Sequence, residues 1–228
     1  MLMTGRLDRL RRAPTRLVVG GFVVCAALGF RPDAASLQSQ TGVWDGVYAK
    51  VSPGTFEPNA FLARMVAGRA PGSALDIGIG EGRNAFFLAS RGWDVTGFDA
   101  SAAGIKLTLA EADKRRLKVT ALVGDVDSFD YGRAQWDLVA GLYMHEMVTR
   151  NAAKIVASLK PGGVVVVEGM QYGAMGTGVG GAAYGHRPNE LLRAFDGLRV
   201  VFYEEAMAPP YWMPRNPAVP IVRFAATR

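Results

Sequence analysis

Residues 74–99 read ALDIGIGEGRNAFFLASRGWDVTGFD. An apolar run leads into three glycines at alternate positions, Gly78, Gly80 and Gly82, and a carboxylate, Asp99, closes the segment 21 residues after Gly78. Glycine adopts backbone angles, and permits close approach, that a Cβ would block. A glycine loop between a strand and a helix therefore lets a ligand lie against the backbone and the helix N-terminus. Ligands of parallel α/β sheets sit outside the carboxyl ends of the strands. Asp99 ends the neighbouring strand, where a carboxylate accepts hydrogen bonds from both hydroxyls of a ribose. The loop and Asp99 together predict one nucleoside pocket, far apart in sequence and adjacent in space.

The chain around this stretch alternates. SALDI (73–77) reads as a first strand, residues 84–91 as a helix stopped by Gly92, and DVTGF (94–98) as a second strand. Ser101 is placed to cap a helix running to about Arg116, with Ala102, Ile105, Leu109 and Ala112 along one side. VTALV and DLVAGL read as strands three and four, residues 149–159 as a helix ended by LKPGG, and VVVVEG as strand five. The strand runs are continuously apolar, as parallel strands covered on both faces require. PNELLRAFD then reads as a helix, with LRVVFYEEA and VPIVRFAAT as strands. Four prolines (Pro209, Pro210, Pro214 and Pro217) forbid a helix between those last two strands, so they are expected to pair antiparallel. The prediction is an α/β fold: a doubly wound, Rossmann-like, seven-stranded sheet, its last strand inserted antiparallel, with helices on both faces.

Half of the 228 residues are apolar, enough for a sizeable core. The net charge is +6, but six of the 26 basic and two of the 20 acidic residues lie in 1–40, leaving 20 against 18 for the remainder. The basic character belongs largely to the N-terminus, and no nucleic-acid partner is expected. One cysteine, Cys25, excludes an intrachain disulfide and a thiolate zinc cluster, and with only His145 and His186 no metal site is expected.

Six arginines precede or flank a fourteen-residue uncharged run from Leu17 to Phe30. A positive segment followed by a short apolar one reads as a signal peptide or membrane anchor, short of the roughly 20 residues of a spanning helix. Val24, just before Cys25, argues against lipidation. The expected organisation is a leader with linker over 1–40 and one domain over 41–228. Export or membrane association, with Leu17 to Phe30 as the tether, is expected; a non-functional leader and a cytoplasmic protein is the alternative. The oligomeric state is not legible.

A dinucleotide loop would read G-x-G-x-x-G, but counting from Gly78 the third glycine position is Arg83, and the pattern here is D-x-G-x-G-x-G from Asp76 to Gly82. An acidic residue before the loop sits badly beside a pyrophosphate and well beside a cation. S-adenosylmethionine carries an ammonium, a sulfonium and no phosphate. LDIGIGEGRN, GFDAS, VGDVDSFDYGRAQWDLV and LKPGGVVVVEG, in this order, resemble the class I S-adenosylmethionine-dependent methyltransferases from about Val43 to the C-terminus. Within them the chain is most similar to the small-molecule enzymes of the tellurite-resistance and thiopurine types. The resemblance implies that Asp76 holds the methionine end, that Gly78, Gly80 and Gly82 line the cofactor, and that Arg83 and Asn84 steady its carboxylate. It places Asp99 and Ala100 at the ribose, Asp125 and the Val126 backbone at the adenine, and Gly141 and Leu142 near the methionine portion. A turn-capping role for Asp125 is the alternative, with Asp127 and Asp130 as rivals.

The acceptor is expected to be a small molecule bound by the loops after strands four and five. GLYMHEM, after strand four, offers His145 and Tyr143 as catalytic candidates. An imidazole titrates near neutrality and suits a base where the acceptor enters protonated; a packing role for His145 stands equally. The loop EGMQYGAMGTGVGGAAYGH, with Glu168, Met170, Tyr172 and Met175, reads as a flap or as a plain connection. Trp44, Tyr48 and Phe56 are expected to cover the pocket or pack a first helix, and Trp212 and Arg215 are further candidates for the substrate side that the sequence does not decide. No Asn-Pro-Pro-Tyr or Asp-Pro-Pro-Tyr stretch follows strand four, which counts against adenine or glutamine amino groups as acceptors. A non-catalytic cofactor- or partner-binding module and an NAD-dependent oxidoreductase are the competing readings.

Overall fold

Seven strands hydrogen-bond into one sheet in the order β3-β2-β1-β4-β5-β7-β6. They are β1 (Ser73–Ile77), β2 (Asp94–Asp99), β3 (Val119–Val123), β4 (Trp136–Leu142), β5 (Leu159–Met170), β6 (Arg199–Ala208) and β7 (Val219–Thr227). The computed structural model describes residues 42–50, 57–174, 185–209 and 217–228, all within one compact unit, Ala34–Arg228. The leader expected over 1–40, with its tether, lies outside them, as do Phe56, Met175, Trp212 and Arg215. Among the described residues no helix is long and apolar enough to cross a membrane.

Strands β1 to β5 run parallel, and β7 inserts antiparallel between β5 and β6. This is the predicted sheet; the four prolines between β6 and β7 are the reason in the sequence for their antiparallel pairing. The helices are α1 (42–48), α2 (Ala60–Val66), α3 (Arg83–Ala89), α4 (Ala102–Arg115), α5 (Glu146–Arg150), α6 (Ala152–Ser158) and α7 (Glu190–Ala194).

Side chains alternate across a strand, and β5 sorts its valines accordingly. Val164 and Val166 join a core with Phe61 and Leu62 of α2, Leu88 of α3 and Ile105 of α4. Val165 and Val167 join the opposite core with Val148 of α5, Ile155 of α6 and Leu191 of α7. The sheet is thus covered on both faces. In β4, Trp136 and Leu138 fall in opposite cores although two residues apart, because a bulge between them shifts the register.

Three local expectations are corrected. Ala102 and Leu109 are exposed; the inner face of α4 is built instead from Gly104, Ile105, Thr108, Glu111 and Ala112. The single helix expected over 149–159 is two, α5 and α6, broken at Asn151, whose side chain donates to Asp127 Oδ1 (2.8 Å) and the Met147 carbonyl (3.0 Å). LKPGG is not a connection but the start of β5, held by Gly162 N–H to the Arg228 carbonyl (2.9 Å) and Arg228 N–H to the Gly163 carbonyl (3.0 Å).

Candidate cofactor and acceptor site

The strand order reverses between β1 and β4, so the loops leaving their carboxyl ends diverge and open a crevice there. The glycine loop lies on its β1 side. Gly78 N–H and Ile79 N–H both donate to the Phe98 carbonyl of β2 (2.9 and 3.1 Å), and Thr108 of α4 donates to the Gly80 carbonyl (2.8 Å). Gly80 has φ +57°, and a Cβ there would come within 2.6 Å of the Tyr48 hydroxyl. Gly82 has φ +86° and serves as the N-cap of α3 without a side-chain bond, so the helix start presents bare backbone. Gly78 lies under the Met144 sulfur.

Asp99 closes this loop. Its Oδ2 accepts from Gly80 N–H (3.0 Å) and its Oδ1 from Ser101 N–H (2.8 Å). Burial raises its pKa above the usual carboxylate value, and those two N–H groups oppose the rise. The β2 carboxylate and the glycine loop, 19 positions apart, are therefore in direct contact, as predicted; Ala100 is exposed between Asp99 and the α4 cap. From the other side comes α1. Asp45 accepts from the Ser101 hydroxyl and from Ala103 N–H (3.2 Å), which lays Tyr48 against Gly80 and Gly104. Of the aromatic residues expected to cover the pocket or pack a first helix, Tyr48 lies on the glycine loop, while Trp44 stacks on Tyr48 at 5.9 Å and stays exposed.

Asp76 is 2% exposed, and among the described residues its Oδ2 has no hydrogen-bond partner. Burial pushes its pKa up to about 7, against the pull of Arg83, while Glu81 and Asp99 push the same way as burial. A buried carboxylate with an unused oxygen beside a glycine cradle is a donor set that fits a cationic group such as an α-ammonium. Arg83 is buried with Glu81 4.0 Å away, and Asn84 Oδ1 accepts from Asn59 N–H (2.9 Å). On the far side of β2, Asp125 Oδ1 accepts from Asp127 N–H (3.0 Å) and Ser128 N–H (3.1 Å), so this oxygen closes a turn. The Val126 side chain is buried beside it. Gly141 and Leu142 end β4 in register with Ile77 of β1 and with Val167 and Glu168 of β5, on the β4 side of the crevice.

Tyr143 and His145 follow with φ +60° and +43°. His145 is buried, its Nε2 accepts from Met170 N–H (3.2 Å), and burial, then His186, lowers its pKa to about 3. A base needs its lone pair, and here the Nε2 lone pair is engaged by β5, which is the geometry of the packing role. Tyr143 N–H donates to the Glu168 carbonyl (2.6 Å).

Three residues of this edge carry no local motif. Asn59 caps α2 through Leu62 N–H (3.0 Å) and donates to Glu168 Oε1 (2.6 Å), while Arg223 of β7 donates to Glu168 Oε2 (2.7 Å) and to Glu204 (2.8 Å). The third is His186, 5.6 Å from the His145 ring. A carboxylate at the end of the buried run VVVVEG signals that partners must exist; it does not say which. Among the described residues no group of three or more His, Cys, Asp or Glu is placed to hold a metal ion.

Residues 74–163 match the family described as a methyltransferase domain. A stretch of 129 residues is 30% identical to the ribosomal RNA small subunit methyltransferase C of Alcanivorax borkumensis, covering 50% of this chain and 39% of that protein. The chain thus spans about two fifths of the length of the curated relative it matches. The fold is that of TehB from Haemophilus influenzae (TM-score 0.64, 17% identity, 75% of this chain and 62% of that one). It is likewise that of a S-adenosylmethionine-dependent methyltransferase from Methanosarcina mazei (TM-score 0.60, 16% identity, 75% and 99%). Residues 74–163 are thus similar to a methyltransferase domain, and the fold is shared with a S-adenosylmethionine-dependent methyltransferase.

Proposed function

We propose that the protein transfers a methyl group from S-adenosylmethionine to a small-molecule acceptor. The observation that supports this most is the contact of Asp99 with the glycine loop, beside the unused oxygen of buried Asp76. In this reading Asp76 meets the ammonium, Gly78, Gly80 and Gly82 line the cofactor, and Arg83 and Asn84 stand at its carboxylate. Asp99 and Ala100 meet the ribose, and Asp125, through the oxygen its turn leaves over, and Val126 meet the adenine. Gly141 and Leu142 border the methionine portion. The bound cofactor supplies an already activated methyl. The chain's own task is to hold the acceptor in line at about 3 Å and exclude water. Tyr143 and His145 stand on the acceptor side of the crevice, His145 as a packing group in this conformation.

A small acceptor is favoured by the near balance of charge over 41–228, 20 basic against 18 acidic residues. Arg83, in place of a third dinucleotide glycine, disfavours the nicotinamide alternative. The test is transfer of a labelled methyl by the full chain to a panel of thiols, hydroxyl compounds, amines and oxyanions, with ribosomal RNA as a separate arm. Transfer to a small acceptor, lost in Asp99→Ala, supports the reading. Transfer to RNA alone contradicts the small-molecule acceptor, and cofactor binding with no transfer to any acceptor favours the non-catalytic binding module. Residues 1–40 are proposed to direct export or membrane association; a reporter active only outside the cytoplasm, fused after residue 40, should be active, and a wholly cytosolic, soluble fusion would remove that proposal.

A further inference from the structure

His186 is 1% exposed, and among the described residues neither of its ring nitrogens has a hydrogen-bond partner. Its backbone is fixed: His186 N–H donates to the Met170 carbonyl and Tyr172 N–H donates to the His186 carbonyl, both at 2.8 Å. Its ring lies against Gly169, where a Cβ would come within 2.9 Å of both the His186 and the His145 rings. A neutral imidazole has one N–H to give and one lone pair to receive, and leaving such groups buried and unused costs about 1–3 kcal/mol each. Side chains in this condition require an explanation. The place supplies one: His145 follows β4 and His186 docks on the end of β5, at the carboxyl edge on the β4 side of the crevice. Positive φ at Tyr143 and His145, both non-glycine, adds backbone strain of a kind that gathers at functional sites.

We propose that His186, backed by His145, is the acceptor-binding group, and that it takes an uncharged protic acceptor, a hydroxyl or thiol, rather than a cationic amine. This rests on the methyl-transfer reading. The unused N–H and lone pair of His186 match the acceptor's lone pair and hydrogen. Among the described residues the nearby buried carboxylate, Glu168, offers a cation no free oxygen: one is bonded to Asn59 and the other to Arg223. Burial, which lowers the pKa of His186 to about 4, keeps its ring neutral under ordinary conditions.

The chain contains only two histidines, so the full-length protein labelled with 15N at histidine reports each ring separately. Phenol is the neutral probe and benzylammonium the cationic one of similar size. Phenol is expected to move the His186 ring resonances and benzylammonium to leave them in place. In His186→Leu, phenol binding should weaken at least about tenfold, the equivalent of one lost hydrogen bond. That variant also removes two unsatisfied polar atoms, so its melting temperature should not fall, and its calorimetric affinity for S-adenosylhomocysteine should stay within about twofold. His186→Gln, which keeps a donor and an acceptor, should retain the phenol response. If S-adenosylhomocysteine binds while phenol leaves His186 unmoved, or if His186→Leu loses stability and S-adenosylhomocysteine affinity together, His186 is structural and the inference is overturned. Failure of wild-type protein to bind S-adenosylhomocysteine overturns the methyl-transfer reading itself, and the inference with it.

Discussion

Asp76 is where burial and charge pull against each other, and its titration gives a measurable consequence. Its folded pKa is raised, from 3.8 to about 7. The folded state therefore holds this proton more tightly than the unfolded one, and the stabilisation is present below pH 3.8 and lost as pH rises through about 7. At 1.36 kcal/mol per pKa unit the loss is roughly 4 kcal/mol. His145 and His186 act with the opposite sign. Their folded values, about 3 and about 4, lie below the ordinary 6.5, so stability is present above pH 6.5 and lost as pH falls through about 4. Chemical denaturation of Asp76→Asn without cofactor should match wild type near pH 4 and exceed it by a few kcal/mol at pH 8. Equal stability of the two at pH 8 would show that Asp76 is ionised at no cost. The same variant, tested by calorimetry, should bind S-adenosylmethionine about 10- to 100-fold more weakly, having lost a charged partner for the ammonium. Asp76 and Asp99 were legible because their motif spacing fixes their place. The turn closed by Asp125 Oδ1 was open between two readings because Asp127 and Asp130 sit within the same few residues. The buried, unpartnered ring of His186 was not legible, since nothing in its sequence neighbourhood states that both ring nitrogens would be buried without partners among the described residues.

At the scale of the element, the central strands β1, β4 and β5 were readable because each is an apolar run with most residues buried, and the pleat of β5 sorts Val164 to Val167 between the two cores; β3 and β6 are apolar runs that stay largely exposed. The helix faces were less so. Leu109 fits an apolar stripe by spacing, but the face that meets the sheet is set by the cap at Ser101 and by Thr108 reaching the Gly80 carbonyl. The split at Asn151 and the start of β5 at Leu159 depend on Asp127 and Arg228, partners 24 and about 69 positions away, which no local pattern encodes. The same holds for the link from Asn59 to Glu168, 109 positions apart. Asn59→Ala removes both the α2 cap and a donor to a buried carboxylate. It should lower stability by roughly 2–4 kcal/mol in denaturant titration; a loss below about 0.5 kcal/mol would mean that water replaces both bonds. Asp45→Ala should free α1 from the Ser101 turn. Faster amide exchange confined to 42–50, with an unchanged melting temperature, is the expected result; unchanged exchange there would show that Tyr48 alone holds the helix.

For the whole molecule, the antiparallel insertion of β7 and the crevice between β1 and β4 follow from the connections: helices join the parallel strands except β3 to β4, and a segment with four prolines joins the last two. That topology puts Asp76, Asp99 and the glycine loop at one edge, with β4 and β5 ends beside them. The near-neutral charge of 41–228 fits a pocket that recognises its ligand by buried polar groups rather than by long-range attraction. The most direct test is calorimetric titration of the full chain with S-adenosylhomocysteine, beside Asp99→Ala. Binding at micromolar concentrations that Asp99→Ala abolishes, with both proteins folded, is the expected result. A folded wild-type chain that binds neither S-adenosylhomocysteine nor S-adenosylmethionine would contradict the cofactor site and the proposed methyl transfer with it.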